Sequence, residues 1–296
     1  MKKHLLITIL TFFLASPLAW ANDLYYNIKQ EFSVSKIQTE LQAIIDNAFV
    51  NVNIVVTGSK TDVDATLTLT IAAGKKVVWQ ALFQATSTFT PKTLLMFLGD
   101  GTFEVAGGKL TSPAAMTINS YGENATVIVS NGTVSATLEN AIITRGTNAK
   151  VYISGGEVSN ISEGKYPVIY IYNNENTKQN VVVSGSAKVE TIAAPCIISS
   201  GRVIISENAQ VYSHHSTHPN LTKICVSVSA KYTEIRDDAR IIGNVGIPDF
   251  YKGYEMATIS DNVQVEGIVS AKNVIAGNKA KINGFSFAGR YLLYKN

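Results

Sequence analysis

The chain has 296 residues, 46% of them hydrophobic and 16% charged, with a formal net charge of +3 at pH 7. That much apolar material excludes a disordered chain. So small a charge, with no clustered basic patch, excludes a protein held to nucleic acid by phosphate contacts.

Residues 1–21 have the layout of an export signal. Lys2, Lys3 and His4 form a short polar start, Leu5 to Leu14 an apolar core, and Ala19-Trp20-Ala21 a small-x-small cleavage site. The mature chain is then expected to begin at Asn22, and removing Lys2 and Lys3 takes the charge from +3 to +1. The apolar run is about 10 residues, against the roughly 20 that a membrane-spanning helix needs. No later segment is longer, and neither cysteine lies near the cleavage site. The expectation is an exported bacterial protein with no membrane span or lipid anchor, located in the periplasm, at the cell surface or outside the cell.

Residues 22–54 form an N-terminal cap region. Within it Ile37, Leu41, Ile44 and Ile45 fall on one helical face, opposite Lys36, Glu40 and Asp46. Ser35 followed by Gln38 has the spacing of a capping box, so an amphipathic helix is predicted over about 35–47. Strand patterns begin at Val50. Val52 to Thr57 leads to a Gly58-Ser59 turn, Leu67, Leu69 and Ile71 alternate with threonines, and Val77 to Phe83 forms the next strand.

The motifs Val56-Thr-Gly-Ser-Lys60, Ala65-Thr-Leu-Thr-Leu69 and Ile71-Ala-Ala-Gly-Lys75, with Trp79, resemble a segment of secreted bacterial adhesin-like proteins of the pectin-lyase-like parallel β-helix type. The resemblance covers residues 55–83. It implies an architecture and names no activity.

A repeat then dominates the chain. Aligned on the small residue after an aliphatic triplet, the copies are Phe103-Glu-Val105-Ala106, Val127-Ile-Val129-Ser130, Val151-Tyr-Ile153-Ser154, Val181-Val-Val183-Ser184, Val203-Ile-Ile205-Ser206 and Ile224-Cys-Val226-Ser227. Weaker copies follow at Ile259-Ser260 and Ile275-Ala276. The small positions 106, 130, 154, 184, 206 and 227 are spaced by 24, 24, 30, 22 and 21 residues, about one turn of a parallel β-helix. The first and third triplet positions are always large and apolar and are expected to face inward, with the mixed middle position facing out. Two residues past the small position lie Gly108, Gly132, Gly156, Ser186, Asn208, Ser229 and Asn262, the composition of a tight turn with φ > 0. Leu110, Val134, Val158, Val189, Val211 and Tyr232 restart the core. The extra motif Ile235 to Ile241, only 9 residues after Val226, is assigned to a neighbouring strand of the same turn.

The predicted fold is therefore all-β: a single-stranded right-handed parallel β-helix, a solenoid over 55–284, with an N-terminal amphipathic capping helix and a C-terminal cap over 285–296. A β-sandwich is the runner-up, disfavoured because sandwiches do not repeat one column pattern at this period.

Each residue that could carry chemistry has a plainer reading beside it. His214, His215 and His218 have zinc-like spacing but sit in a Pro- and Asn-flanked loop without a nearby carboxylate or cysteine, so no metal site is assigned. Arg236-Asp237-Asp238-Ala239-Arg240 resembles the acid, base and clamp groups of β-helix polysaccharide hydrolases and lyases. Neighbouring strand residues face opposite ways, however, and the signature motifs of those enzymes do not occur. No catalytic residue or cofactor is assigned. Cys196 and Cys225 enter an oxidising compartment, which favours a disulfide, yet the repeat puts them in different columns, which argues against one.

Tyr152, Tyr170 and Tyr172 are the candidate ligand-binding residues. Tyr170 and Tyr172 share a strand face at a spacing suited to stacking on sugar rings, and Tyr152 stands in an outward apolar column that needs a cover or a partner. The alternative is an inserted strand packing its tyrosines across that column. The functional expectation is an exported non-enzymatic structural or adhesin-like protein, with a polysaccharide or a surface protein as partner. The alternative is a carbohydrate-active enzyme, a polysaccharide lyase or glycoside hydrolase of the pectin-lyase-like group; the excursions at 161–179 and 213–223 offer it little cleft-building loop. N-terminal sequencing of the exported protein is expected to start at Asn22, and a mature chain that retains residues 1–21 would contradict the export assignment.

Overall fold

The computed structural model describes residues 23–161, 166–172, 179–192, 194–214, 226–246, 255–287 and 291–294. Residues 1–21, expected as an export signal, lie outside them, as do His215, His218 and Cys225. Among the described residues the chain is nearly all β, with one helix and 25 strands joined in a single hydrogen-bonded network. Every pairing in the network is parallel, and each joins a residue to one 16 to 31 residues away in sequence, so successive passes of the chain lie in register on one another.

Three ladders result. The first runs through Leu24–Ile28, the start of Asn53–Val63, Lys76–Trp79, the starts of Thr102–Ser112 and Thr126–Ala136, Lys150–Ile153, Gln179–Val183, the ends of Ile197–Ile205 and Val226–Ile235, Met256–Ile259, Asn273–Gly277 and Tyr291–Tyr294. The second continues from each first-ladder strand after a tight turn, through Leu82–Ala85, Glu157–Asn160, Lys188–Thr191, Gln210–Ser213 and Arg240–Ile242 among others. The third includes Leu67–Thr70, Thr93–Leu98, Met116–Ser120, Ile142–Thr144, Ile169–Ile171 and the start of Ile197–Ile205. Residues 285–287 and 291–294, expected as a C-terminal cap, supply the last strands of the third and first ladders.

Period-two alternation puts one face of every strand inside. Val77, Phe103, Val127, Val151, Val181 and Val203 stack in register and are fully buried. So are Trp79, Val105, Val129, Ile153, Val183, Ile205, Ile235 and Ile259 two residues on. Trp79 packs against Phe83 and Phe103 with ring centroids 5.5 and 5.8 Å apart, and its indole N–H donates to the Ala81 carbonyl at 3.0 Å. A buried Val or Ile in such a column contributes about 1.5–3 kcal/mol. The corner between the second and third ladders is polar instead. Asn160, Thr191 and Ser213 are buried there, with Thr191 donating to Asn160 at 2.6 Å, Asn160 donating to the Tyr166 carbonyl at 2.8 Å and Ser213 to the Ala194 carbonyl at 2.8 Å. These side chains stand in for the ladder bonds that the bending backbone gives up, so loops of different length fit at one corner.

Four sequence assignments change. The register puts Thr233 and Ile235 beneath Val203 and Ile205, whereas Val228 pairs with Ile197 in the third ladder. Residues 233–235, not 224–226, are thus the sixth copy, and Ile235 belongs to the repeat itself. The core residue following that copy is Ile241, paired with Val211, not Tyr232. Near the C-terminus Val274 and Ala276 face inward and Ile275 outward, a one-residue slip that flips the face. The left-handed turn residue is Gly108, Gly132 and Gly156 as expected, but in later copies it comes one position earlier, at Gly185, Glu207, Asp237 and Asp261.

The helix, Val34–Asn47, begins one residue before the predicted stretch. Its N-cap is Ser33, whose hydroxyl accepts from the Lys36 amide at 3.2 Å. Val34, Ile37, Leu41 and Ile45 are buried against the start of the third ladder, and Ile44 is partly buried. Gln38, the expected capping-box partner, instead accepts from the Thr68 amide at 2.9 Å. Gln42 accepts from the Thr70 amide at 2.8 Å and donates to the Thr70 carbonyl at 2.9 Å. In the second ladder the Gln30 side chain accepts from the Thr61 amide at 3.0 Å. Three glutamines therefore satisfy backbone groups along the outermost strand edges, the groups that invite aggregation when left bare.

Glycines matter most where passes touch. A Cβ on Gly122 would land on the Gly99 carbonyl oxygen, whereas one on Gly107 would meet only the Gln80 side chain and Cα at ordinary contact distances of 3.8–4.0 Å. Gly122→Ala is expected to cost about 3 kcal/mol or more, and Gly107→Ala less than about 1 kcal/mol. Thermal melts of the two variants check this, and equal melting temperatures would contradict the close stacking of passes.

Candidate functional site

The outward faces of the ladders carry the side chains that could meet a partner. Tyr152 stands in the first ladder, in register between Ile128 and Val182, and is half-buried. Tyr170 and Tyr172 lie in the third ladder. Tyr170 belongs to a regular strand, between Ile143 and Ile198, rather than to an insertion crossing the Tyr152 column. The structure brings Tyr170 and Tyr172 together, with ring centroids 5.8 Å apart and planes at 76°, and leaves Tyr152 on another ladder.

Two residues not singled out from sequence complete the third-ladder face. The amides of Tyr121, Arg145 and Tyr172 donate to the Phe97, Ser120 and Thr144 carbonyls at 2.9, 2.9 and 2.8 Å. The three residues therefore follow their strands at equivalent positions on successive passes. Tyr121 is 47% exposed and Tyr172 41%. The Arg145 guanidinium carbon lies 5.4 Å from the Tyr121 ring centroid and 5.8 Å from that of Tyr172, so one cation engages both rings. Beneath them the buried Asn119 accepts from Arg145 Nε at 3.4 Å and donates to the Tyr121 hydroxyl at 3.4 Å. The 24-residue step from Tyr121 to Arg145 equals the spacing of the early repeats, a signal present in the sequence.

The first ladder offers a different surface. Val55, Val78 and Ile204 face outward yet are buried by their column neighbours, and Ile128, Tyr152 and Val182 lie between them half-buried. Ion pairs interrupt this apolar column at two points. Glu104 pairs with Lys76 and accepts from the Ser130 hydroxyl. Glu234 pairs with Arg202 and with Arg236 Nε at 3.3 Å. Beside Glu234 a groove of about 240 Å³ is lined by Arg202, Tyr232, Thr233, Glu234, Met256 and Thr258.

The acidic cluster at 236–240 forms a turn. Asp237 has φ of 63°, and its carboxylate accepts from the Glu207 amide at 3.0 Å, while the Asp237 amide donates to the Asp261 carboxylate at 3.3 Å and the Glu207 carboxylate accepts from the Gly185 amide at 2.7 Å. Asp238 accepts from the Asn262 side chain at 2.9 Å. Each carboxylate thus ties its turn to an adjoining pass. The Ser260 hydroxyl and the Asp237 amide hold the Asp261 carboxyl below its usual range. His214 lies 3.6 Å from Glu190 and packs on Tyr212. Cys196 is buried, and its amide donates to the Val226 carbonyl at 3.2 Å, which places it on the third ladder beside the residue following Cys225. The relation of Cys196 to Cys225 itself lies outside the described residues. Among the described residues no group of three or more His, Cys, Asp or Glu could hold a metal ion, and no helix is long and apolar enough to cross a membrane.

Glu104 supplies a pH-dependent contact. Burial pushes its carboxyl upward, but hydrogen bonds from Lys76 and Ser130 and the Lys76 charge outweigh burial and hold it below the usual range. A lowered folded-state value stabilises the fold above the ordinary carboxylate pKa, and that stability is lost as pH falls through the folded value. Between about pH 5 and pH 3 the melting temperature of the wild type is expected to fall further than that of Glu104→Gln; parallel curves would remove Glu104 from the acid response.

Compared with protein-family models, with curated proteins and with solved structures, the chain gives no match.

Proposed function

We propose that the three ladders are the walls of a right-handed parallel β-helix, and that the chain is an exported, non-enzymatic structural or adhesin-like protein that binds glycan on the outer face of the third ladder. Crossovers between parallel strands of one sheet are right-handed in about 98% of cases, which supports the hand. In-register stacking of every pass on the previous one supports the helix itself. The observation that carries the binding assignment is the group of Tyr121, Tyr170 and Tyr172 on a rigid sheet, with two of the rings more than 40% exposed. Aromatic rings held this way present flat apolar faces at little entropic cost, the requirement for stacking on sugar rings.

The charged cluster supports a non-catalytic reading. An acid–base pair needs carboxylates available to a substrate, whereas Asp237 and Asp238 accept hydrogen bonds that join adjacent turns. A glycan array probed with the mature protein is expected to give binding that Tyr172→Ala weakens about tenfold or more, as loss of a 1–3 kcal/mol stacking contact would produce. Release of reducing or unsaturated sugars from a polysaccharide panel would overturn the reading in favour of an enzyme. A surface protein captured in place of any glycan would also overturn the glycan assignment.

A further inference from the structure

Arg145 differs from the other described arginines. Arg202, Arg236 and Arg240 each have a carboxylate within ion-pair distance: Glu234 for the first two and Glu266 for the third. Among the described residues none stands that close to Arg145. Its Nε donates to Asn119, and the terminal nitrogens have no acceptor there. Among the described residues its charge is met by the two tyrosine rings on either side, one exposed at 47% and the other at 41%. The rings hold the guanidinium without neutralising it. A planar fork of N–H donors fixed in this way suits a carboxylate or a sulfate, which it can bind through two parallel hydrogen bonds. The spacing adds a second constraint. Tyr121 and Tyr172 are two passes apart, about 10 Å at the usual strand separation, with the cation midway.

We propose that Tyr121, Arg145 and Tyr172 form a subsite for an anionic polysaccharide, with a sugar ring on each tyrosine and a carboxylate or sulfate of the chain on Arg145. Asn119 positions the guanidinium from below. The subsite deepens the glycan-binding reading and rests on it. It also accounts for an Arg145 that has no carboxylate at ion-pair distance among the described residues, where Arg202, Arg236 and Arg240 each have one.

The test uses the mature protein and three forms of one β-linked glucan: unsubstituted, oxidised to uronate, and sulfated. Affinities are measured by titration calorimetry at low and high salt for the wild type, Arg145→Gln, Arg145→Lys and Tyr172→Ala, with thermal melts confirming that each variant is folded. At least one charged form is expected to bind about tenfold tighter than the neutral glucan, with that preference weakened by salt. Arg145→Gln is expected to abolish the preference for the charged form. Arg145→Lys, which keeps the charge and loses the fork, is expected to fall between. Tyr172→Ala is expected to weaken all forms. Whichever charged form binds identifies the oxyanion. Equal binding of all three forms, unaffected by Arg145→Gln but lost in Tyr172→Ala, overturns the anionic subsite and leaves the glycan reading intact. If none of the three forms binds, both are overturned.

Discussion

Everything in this molecule depends on register. The inward column that runs from Val77 through Phe103, Val127, Val151 and Val181 to Val203 is apolar because each residue lies directly over its equivalent in the next pass. A slip of one residue would turn an entire strand's core side chains to solvent. A pass cannot bury its own apolar face, so its stability comes from neighbours, and the ladders and the core form together. The same demand accounts for Gly122, where the backbones of two passes approach too closely for a side chain. It also accounts for the acidic turns, where Glu207, Asp237 and Asp261 each hand a carboxylate to the amide of the adjoining pass.

A stack built this way must do something with its first edges. Here the helix Val34–Asn47 covers the start of the third ladder with Val34, Ile37, Leu41 and Ile45, while Gln38 and Gln42 complete the hydrogen bonds of Leu67–Thr70 and Gln30 does the same for the second ladder. Apolar burial and edge satisfaction come from one segment. The polar face of that helix is thus structural in part: Gln38 has the spacing of a local cap and serves a strand 30 residues away.

The inward face was legible in the sequence because burial restricts it to a few residue types, and so the strand content, the parallel stacking and the helix could be read from spacing alone. Where the reading failed, two ladders present the same chemistry. Residues 224–227 read Ile-Cys-Val-Ser and match the aliphatic triplet, whereas the copy that the register places at 233–236 reads Thr-Glu-Ile-Arg, with a threonine at the first inward position and no small residue at the end. Only the turn at Asp237 and Asp238 marks the second as the copy, and an insertion just before residue 226 hides the period. The displaced left-handed residue has a similar origin. In early copies Gly supplies φ > 0, while later copies use Glu207, Asp237 and Asp261, whose side chains find an amide partner on the adjoining pass that composition does not show.

The outer face was less legible because no common environment constrains it. Tyr170 and Tyr172 stood out as aromatics on one strand, but Tyr121 and Arg145 join them only through three-dimensional stacking, and Tyr152 leaves the group because its strand belongs to another ladder. Register is therefore the claim on which both core and surface rest. Cysteine cross-linking tests it most directly, in a background with Cys196 and Cys225 replaced by alanine. Cysteines at Ile128 and Tyr152, paired neighbours on the first ladder, are predicted to form a disulfide readily on mild oxidation, whereas cysteines at Ile128 and Tyr170 are not, because bridged Cα atoms must lie within about 7 Å. A disulfide between 128 and 170, with none between 128 and 152, would contradict the register and the account built on it.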